Sequence, residues 1–207
     1  GATMADLKKM AAYVDIWCPN RGGYLLDIGL DKLAFIKSTG QTVWTYECAG
    51  NAKHQSPLGY YRAQSWMAWH YGLTGIGFWS YCTARHDPWY TPVGGNDYLL
   101  IYQGDGVVTS KRWESVRDGI EDYSMILSLK QALKNVSPDV DQTMLLAAKE
   151  LLEKDAFDIA AYCGLDEYGT EPQTGGMSVL RKVEDIRWAK IQETREKLAM
   201  FLEALNK

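Results

Sequence analysis

An α/β fold built on a parallel sheet is predicted by three features of this 207-residue sequence. Three short segments rich in β-branched and aromatic residues end at Cys18, Cys48 and Cys82, steps of 30 and 34 residues. Each interval holds one helix, which is the rhythm of parallel strands joined by right-handed crossovers. A hairpin and one long amphipathic helix then break that rhythm, and further helices follow.

In chain order, residues 5–13 read as the end of a helix, and residues 14–18 as a short strand stopped by Pro19. Residues 30–38 form a helix that ends near Gly40, and residues 42–48 a second strand. Ser56 and Pro57 open a helix as cap and first-turn proline, with Tyr60, Ala63, Met67 and Tyr71 on its buried face and Gly72 as its stop. Residues 75–82 are the third strand. Residues 97–103 and 106–109 flank Gly104 and Asp105 as a hairpin. Ser137 and Pro138 cap a helix that reaches about Lys154, residues 162–177 are a long polar loop, and Ile191, Leu198, Phe201 and Leu205 stripe a last helix over about 178–205. Residues 1–136 thus read as the main unit and residues 137–207 as a helical extension packed on it, one compact domain within a larger protein.

The chain is organised around the helix at 110–133. Trp113, Val116, Ile120, Tyr123 and Leu127 recur at three- and four-residue steps and predict its buried face. Ser110 suits the N-cap, and Glu114 suits the positive end of the helix dipole. Gly119 costs about 1 kcal/mol against alanine in a helix interior, so its presence predicts a close backbone approach. Among Arg112, Arg117, Glu121 and Asp122, at least one arginine is expected to pair with a carboxylate and anchor the helix. The alternative is a solvated face held by Glu114–Arg117 and Arg117–Glu121 pairs.

Composition narrows the function classes. A net charge of −4 argues against a nucleic-acid partner. No apolar run of about eighteen residues predicts a membrane span, and no signal peptide is expected. Cys18, Cys48, Cys82 and Cys163 include no C-x-x-C pair, and the three His are scattered, so no metal site and no cofactor is predicted. Eight Trp and thirteen Tyr against four Phe favour surfaces that are half wet, sugar sites among them; the competing reading is a core filled with large rings.

Ser110, Arg112, Glu114, Arg117, Asp118, Gly119, Ile120, Glu121, Asp122 and Tyr123 stand in a pattern that resembles the C-terminal signature of family-123-like glycoside hydrolases and their uncharacterised relatives. Upstream, residues 44–48, Arg62, Trp66 and residues 75–81 resemble the same family in the same order. The resemblance implies a (β/α)8 catalytic barrel. About three βα units and a hairpin do not close eight strands, so the expected architecture is a partial TIM-type barrel followed by C-terminal helices. Its open edge at residues 14–18 would be covered by the missing N-terminal half of the barrel or by a partner chain. The resemblance further implies action on N-acetylhexosamine glycosides of the N-acetylgalactosamine type, and points to a secreted or periplasmic compartment.

Candidate site residues follow from the barrel rule that active sites lie at the C-terminal strand ends. Those ends supply Trp17, Tyr46, Glu47, Trp79 and Tyr81; the loop after the third strand adds His86, Asp87 and Trp89. Strand alternation puts Asp15 and Trp17, Trp44 and Tyr46, and Gly77, Trp79 and Tyr81 on the barrel face, with Glu47 turned away unless its strand has ended. In the family that the chain resembles, the substrate's own N-acetyl group attacks, helped by an adjacent Asp-Glu pair on an earlier strand. That pair is expected before residue 4, because Asp166-Glu167 lies in the late polar loop. Glu47 is then the one strand-end catalytic candidate, and this chain alone is expected to be inactive. A non-catalytic carbohydrate-binding domain and a structural domain remain open alternatives.

Overall fold

The computed structural model describes residues 2–20, 30–48, 57–83, 87, 89–90, 98–137, 139–162 and 186–205. The first helix, α1 (Met4–Met10), opens on a capping box between Thr3 and Asp6. A three-stranded parallel sheet follows, in the order β1 (Ile16–Trp17), β2 (Thr42–Glu47), β3 (Gly75–Phe78). Helix α2 (Leu30–Ser38) connects the first two strands. A wide π-type turn at Pro57–Arg62 running into α3 (Ala63–Tyr71) connects the last two. Gly72 ends α3 in the left-handed conformation, with φ of 67°. The strand at the chain's start is shorter than expected: Ile16 and Trp17 pair with β2, and Asn20 adds one isolated bridge to Tyr46.

The third strand also stops early. After Phe78 the chain turns, and β4 (Cys82–Thr83) pairs antiparallel with β5 (Tyr98–Leu99). The hairpin is narrower than the sequence suggests: β6 (Tyr102–Gln103) pairs with β7 (Val107–Val108) across the Gly104–Gly106 turn. Helix α4 (Lys111–Ala132) then begins under the Ser110 cap, which accepts from the Trp113 N–H at 3.2 Å. The next helix, α5 (Gln142–Glu150), starts later than expected because Asp141, not Ser137, caps it by accepting from the Thr143 N–H. Ser137 instead closes a short turn with Asp139. A π-type turn at Leu151–Ala156 leads into α6 (Phe157–Tyr162). The last helix is described over α7 (Ile186–Leu205). The proposed Ser56 cap, the 162–177 loop beyond Tyr162 and the start of the last helix lie outside the described residues.

Two cores result. One lies between the sheet and its helices: Leu7, Trp17, Leu33, Ile36, Val43, Met67, Ala68, Tyr71 and Leu73. The other is helical, and joins Trp66 to Ile126, Leu129, Leu151, Ile191, Leu198 and Phe201. Ile191, Leu198 and Phe201 belong to the stripe read from the sequence, and its fourth member, Leu205, packs partly buried against this core.

The buried face of α4 differs from the one its apolar residues predict. The residues that go inside are Ser115, Gly119, Asp122, Ile126 and Leu129. Ile120 and Leu127 are exposed. The reason is a polar contact at the centre of the helix. Asp122 is fully buried and accepts from Arg62 Nε at 2.7 Å and Nη2 at 3.1 Å, from Trp66 Nε1 at 2.9 Å, and from Arg195 Nη1 at 3.0 Å. Arg195 also donates to Glu121 at 2.6 Å. One turn earlier, a Cβ on Gly119 would stand 2.7 Å from the Arg62 carbonyl oxygen, so only glycine permits this approach.

The anchoring arginines are therefore Arg62 and Arg195, from α3's leading turn and α7. Arg117 is 61% exposed, and among the described residues its ion pairs, with Glu114 and Glu121, lie within its own helix. Arg112 anchors the helix differently, by donating from Nε to the Leu99 carbonyl at 3.0 Å and from Nη2 to the Tyr102 hydroxyl.

Three substitutions separate these roles in denaturant melts. Asp122→Ala should lose roughly 3–5 kcal/mol, because two guanidinium groups and an indole N–H lose their acceptor. Gly119→Ala should lose about 1–3 kcal/mol despite alanine's better helix propensity, since its methyl group meets backbone. Arg117→Ala should lose less than about 1 kcal/mol, as expected for an exposed pair; a loss equal to that of Asp122→Ala would contradict this division.

Candidate functional site

Alternation along β2 assigns its faces. Val43, Thr45 and Glu47 are buried toward the helix layer, whereas Trp44 is exposed and Tyr46 half-buried on the other face. On β3, Ile76 packs with the sheet–helix core and Phe78 with Tyr60 and Tyr61, leaving the two glycines to the face of Trp44 and Tyr46. The Trp44 ring lies directly across Gly75: a Cβ there would stand 2.5 Å from it. Gly77 has Tyr46 beside it. Glycine at both positions lets the aromatic side chains of β2 lie over β3, so this face of the sheet is floored by rings.

Beyond the strand ends the aromatic character continues. Trp79 and Tyr81 are 57% and 53% exposed, and Tyr81 meets Trp113 of α4 edge to face at 5.9 Å. Trp89, also 57% exposed, stacks on Tyr102 with ring centres 4.8 Å apart. Asp87 holds that turn: its carboxylate accepts from the Trp89 N–H at 2.9 Å and its carbonyl from the Tyr90 N–H at 3.0 Å. Tyr81 thus reaches the start of α4 through Trp113, and Trp89, held by Asp87, reaches the hairpin through Tyr102, while Trp79 follows directly on β3. His86 lies outside the described residues.

Two expected site residues are placed elsewhere. Trp17 is 5% exposed, packed in the sheet–helix core with its Nε1 donating to Thr39 Oγ1 at 3.2 Å. Its strand presents Ile16, not Trp17, to the open face, because the short β1 pairs in the register Ile16–Thr42 and Trp17–Val43 and so shares the parity of β2. Glu47 is 4% exposed and still within β2: its carbonyl accepts from the Trp79 N–H at 2.8 Å, and its carboxylate accepts from the Cys48 N–H at 2.8 Å. The strand has not ended, so Glu47 faces the helix layer.

The surrounding chemistry is apolar. Burial pushes the Tyr61 phenol far above its ordinary range. Cys18, Cys48 and Cys82 are free thiols, and among the described residues no group of three His, Cys, Asp or Glu is placed to hold a metal ion. No helix among them is long and apolar enough to cross a membrane. An apolar cavity of about 250 Å³ opens beside β3, lined by Leu73, Gly75, Ile76, Ile120 and Tyr123 among others. Sequence reading faced Trp44 correctly but left it out of the site, and it missed Tyr102 and Arg195, which depend on contacts between separate segments and leave no local signal.

Stability separates the tryptophans. Trp17→Ala should cost roughly 3–5 kcal/mol as a core truncation. Trp79→Ala should cost less than about 1 kcal/mol, being a surface change. Equal losses in thermal or denaturant melts would show that Trp79 is a packing residue too.

The glycoside hydrolase 123 catalytic domain matches residues 22–129, just over half of the chain. No curated protein and no solved structure matches it. The matched span runs from before β2 through most of α4, and so holds β2 and β3 with their rings, the exposed rings after β3, and Asp122 with Arg62 and Trp66, while β1 and Arg195 lie outside it. The chain belongs to the glycoside hydrolase 123 family, through its catalytic domain, and is a glycoside-hydrolase-like, carbohydrate-active protein.

Proposed function

We propose that this chain is the C-terminal part of a TIM-type catalytic barrel acting on N-acetylhexosamine glycosides of the N-acetylgalactosamine type. In this reading it supplies the sugar-binding wall, while the acid and its neighbouring aspartate come from an earlier strand. The observation that carries the reading is the exposure of Trp79, Tyr81 and Trp89 along the chain that follows β3, in a chain of this family. Large rings with an open face offer stacking to the apolar face of a pyranose, and Asp87 and Tyr46 stand near as partners for hydroxyl groups. Burial of Glu47 supports the absence of hydrolysis by this chain alone: its carboxylate is turned away from the ringed face. One carboxyl would in any case give acid or base assistance, not the coordinated pair.

Purified chain incubated with chromogenic N-acetylgalactosaminides and N-acetylglucosaminides should show no turnover, and its tryptophan fluorescence should respond to hexosamine oligosaccharides at millimolar concentration. Turnover abolished by Glu47→Gln would overturn the division of labour. Fluorescence indifferent to every such oligosaccharide would overturn the binding wall.

The same reading includes a cover for the sheet, namely further parallel strands of the barrel. On β2 the carbonyls of Val43 and Glu47 accept from the β3 side, while the Tyr46 N–H donates to Pro19 on the β1 side. By period two, Gly77 then faces β2 and Ile76 presents its amide to the outer edge of β3, which no described strand pairs. The cavity and the exposed Ile120 lie beside that edge. Hydrogen exchange on this chain should find the Ile76 amide exchanging at least about tenfold faster than that of Gly77. Equal protection would mean that the edge is already covered.

A further inference from the structure

We infer that Trp89, Tyr102 and Arg112 form a prebuilt stacking platform, in which Trp89 touches the sugar and Tyr102 and Arg112 position it. This rests on the carbohydrate-binding reading above and goes beyond it, because it names a platform held by α4 and the hairpin rather than by the sheet. Trp89 is an exposed ring with both its edge and one face engaged. Its Nε1 donates to the Gln103 carbonyl at 3.0 Å, and its backbone N–H is held by Asp87. Its ring lies on Tyr102 at an interplanar angle of 31°. Tyr102 is in turn buried, and the Arg112 guanidinium sits over its ring, 5.6 Å from the centre, with one N–H on the tyrosine hydroxyl. Arg112 is itself fixed at the first turn of α4 by the Leu99 carbonyl.

Two consequences follow from this layering. With the indole N–H engaged, Trp89 has no donor left for a hydroxyl or an acetamido group, so it recognises a ligand through its ring face alone. That face is electron-rich and attracts the polarised C–H bonds on the apolar side of a pyranose. The side chain is also ordered before any ligand arrives, so little of the stacking energy is lost in fixing it. An exposed tryptophan on an unsupported loop would lack the second property.

The platform can be tested on the full chain by titrating N-acetylgalactosamine- and N-acetylglucosamine-containing oligosaccharides. Trp89→Ala should weaken the tightest of them by about tenfold, and Trp89→Phe, which keeps a ring face but no N–H, by no more than about threefold. Tyr102→Phe keeps the stacked ring and should bind within about twofold of the parent, whereas Tyr102→Leu should weaken binding nearly as much as Trp89→Ala. Tyr102→Leu should also raise iodide quenching of the Trp89 emission, read as the difference from the Trp89→Phe protein; a purely structural role for Tyr102 would lower the melting temperature and leave that quenching unchanged. Binding by the parent chain that survives Trp89→Ala unaltered would overturn the platform and leave the carbohydrate-binding reading standing. A parent chain that binds none of the oligosaccharides would overturn both.

Discussion

One carboxylate with no access to water sets the arrangement of the helices. Asp122 receives four donor atoms from Arg62, Trp66 and Arg195, which belong to α3 with its leading turn and to α7. A buried charge is tolerated only when paired and hydrogen-bonded, so these donors must be in place together. Such a hub contributes register more than net stability, because the desolvation of three charged groups offsets much of their attraction. Register is what the neighbouring contacts need. Gly119 sits one turn from Asp122, where the α4 backbone touches the Arg62 carbonyl; a slip by one residue would put a side chain into that contact.

From the hub the constraint travels along α4 to its N-terminus. A helix rises about 1.5 Å per residue, so fixing Asp122 fixes Trp113 and Arg112 about 14–15 Å away. Trp113 then meets Tyr81, Arg112 meets Leu99 and Tyr102, and the Ser110 hydroxyl donates to Leu100. Tyr81 and, through Tyr102, Trp89 are thereby held from α4, whereas the Trp79 backbone is held from the sheet by the Glu47 carbonyl. The resemblance motif at residues 110–123 spans both ends of this lever, which gives a physical reason for charged residues and a glycine to stand together in one helix.

What could be read from the sequence was what depends on neighbours in sequence. The Ser110 cap, the Gly72 stop, the parity of β2 and β3 and the glycine contact at 119 all follow from local chemistry and were foreseen. The buried face of α4 was not. Hydrophobic periodicity weights Ile120 and Leu127 over Ser115 and Asp122, and it fails where burial is chosen by a polar hub whose partners lie 56–73 residues away. The apolar stripe is not idle, however. Trp113 and Val116 pack beside Tyr60, Tyr61 and Leu100, and Ile120 and Tyr123 line the cavity beside β3. The helix has two faces to satisfy, and a single moment could report only one. In β1 the failure is different. With two paired residues, facing is set by register with β2, and an alternation count begun at Val14 has nothing to anchor it.

The pleat of β2 also bears on how binding and chemistry are divided. Tyr46 and Glu47 are adjacent in a strand that stays paired through Glu47, so their side chains must leave on opposite faces. A sheet that offers Tyr46 and Trp44 to its open face cannot offer Glu47 to the same face without a bulge. Such a bulge would break the contact in which the Glu47 carbonyl accepts from Trp79, and with it the turn that exposes the Trp79 ring. The aromatic wall and a Glu47 acid are therefore alternatives, and the wall is the one that this backbone supports. A carboxyl group serving sugars bound at these rings must come from another strand end or from a loop, which is the arrangement proposed above for the complete barrel.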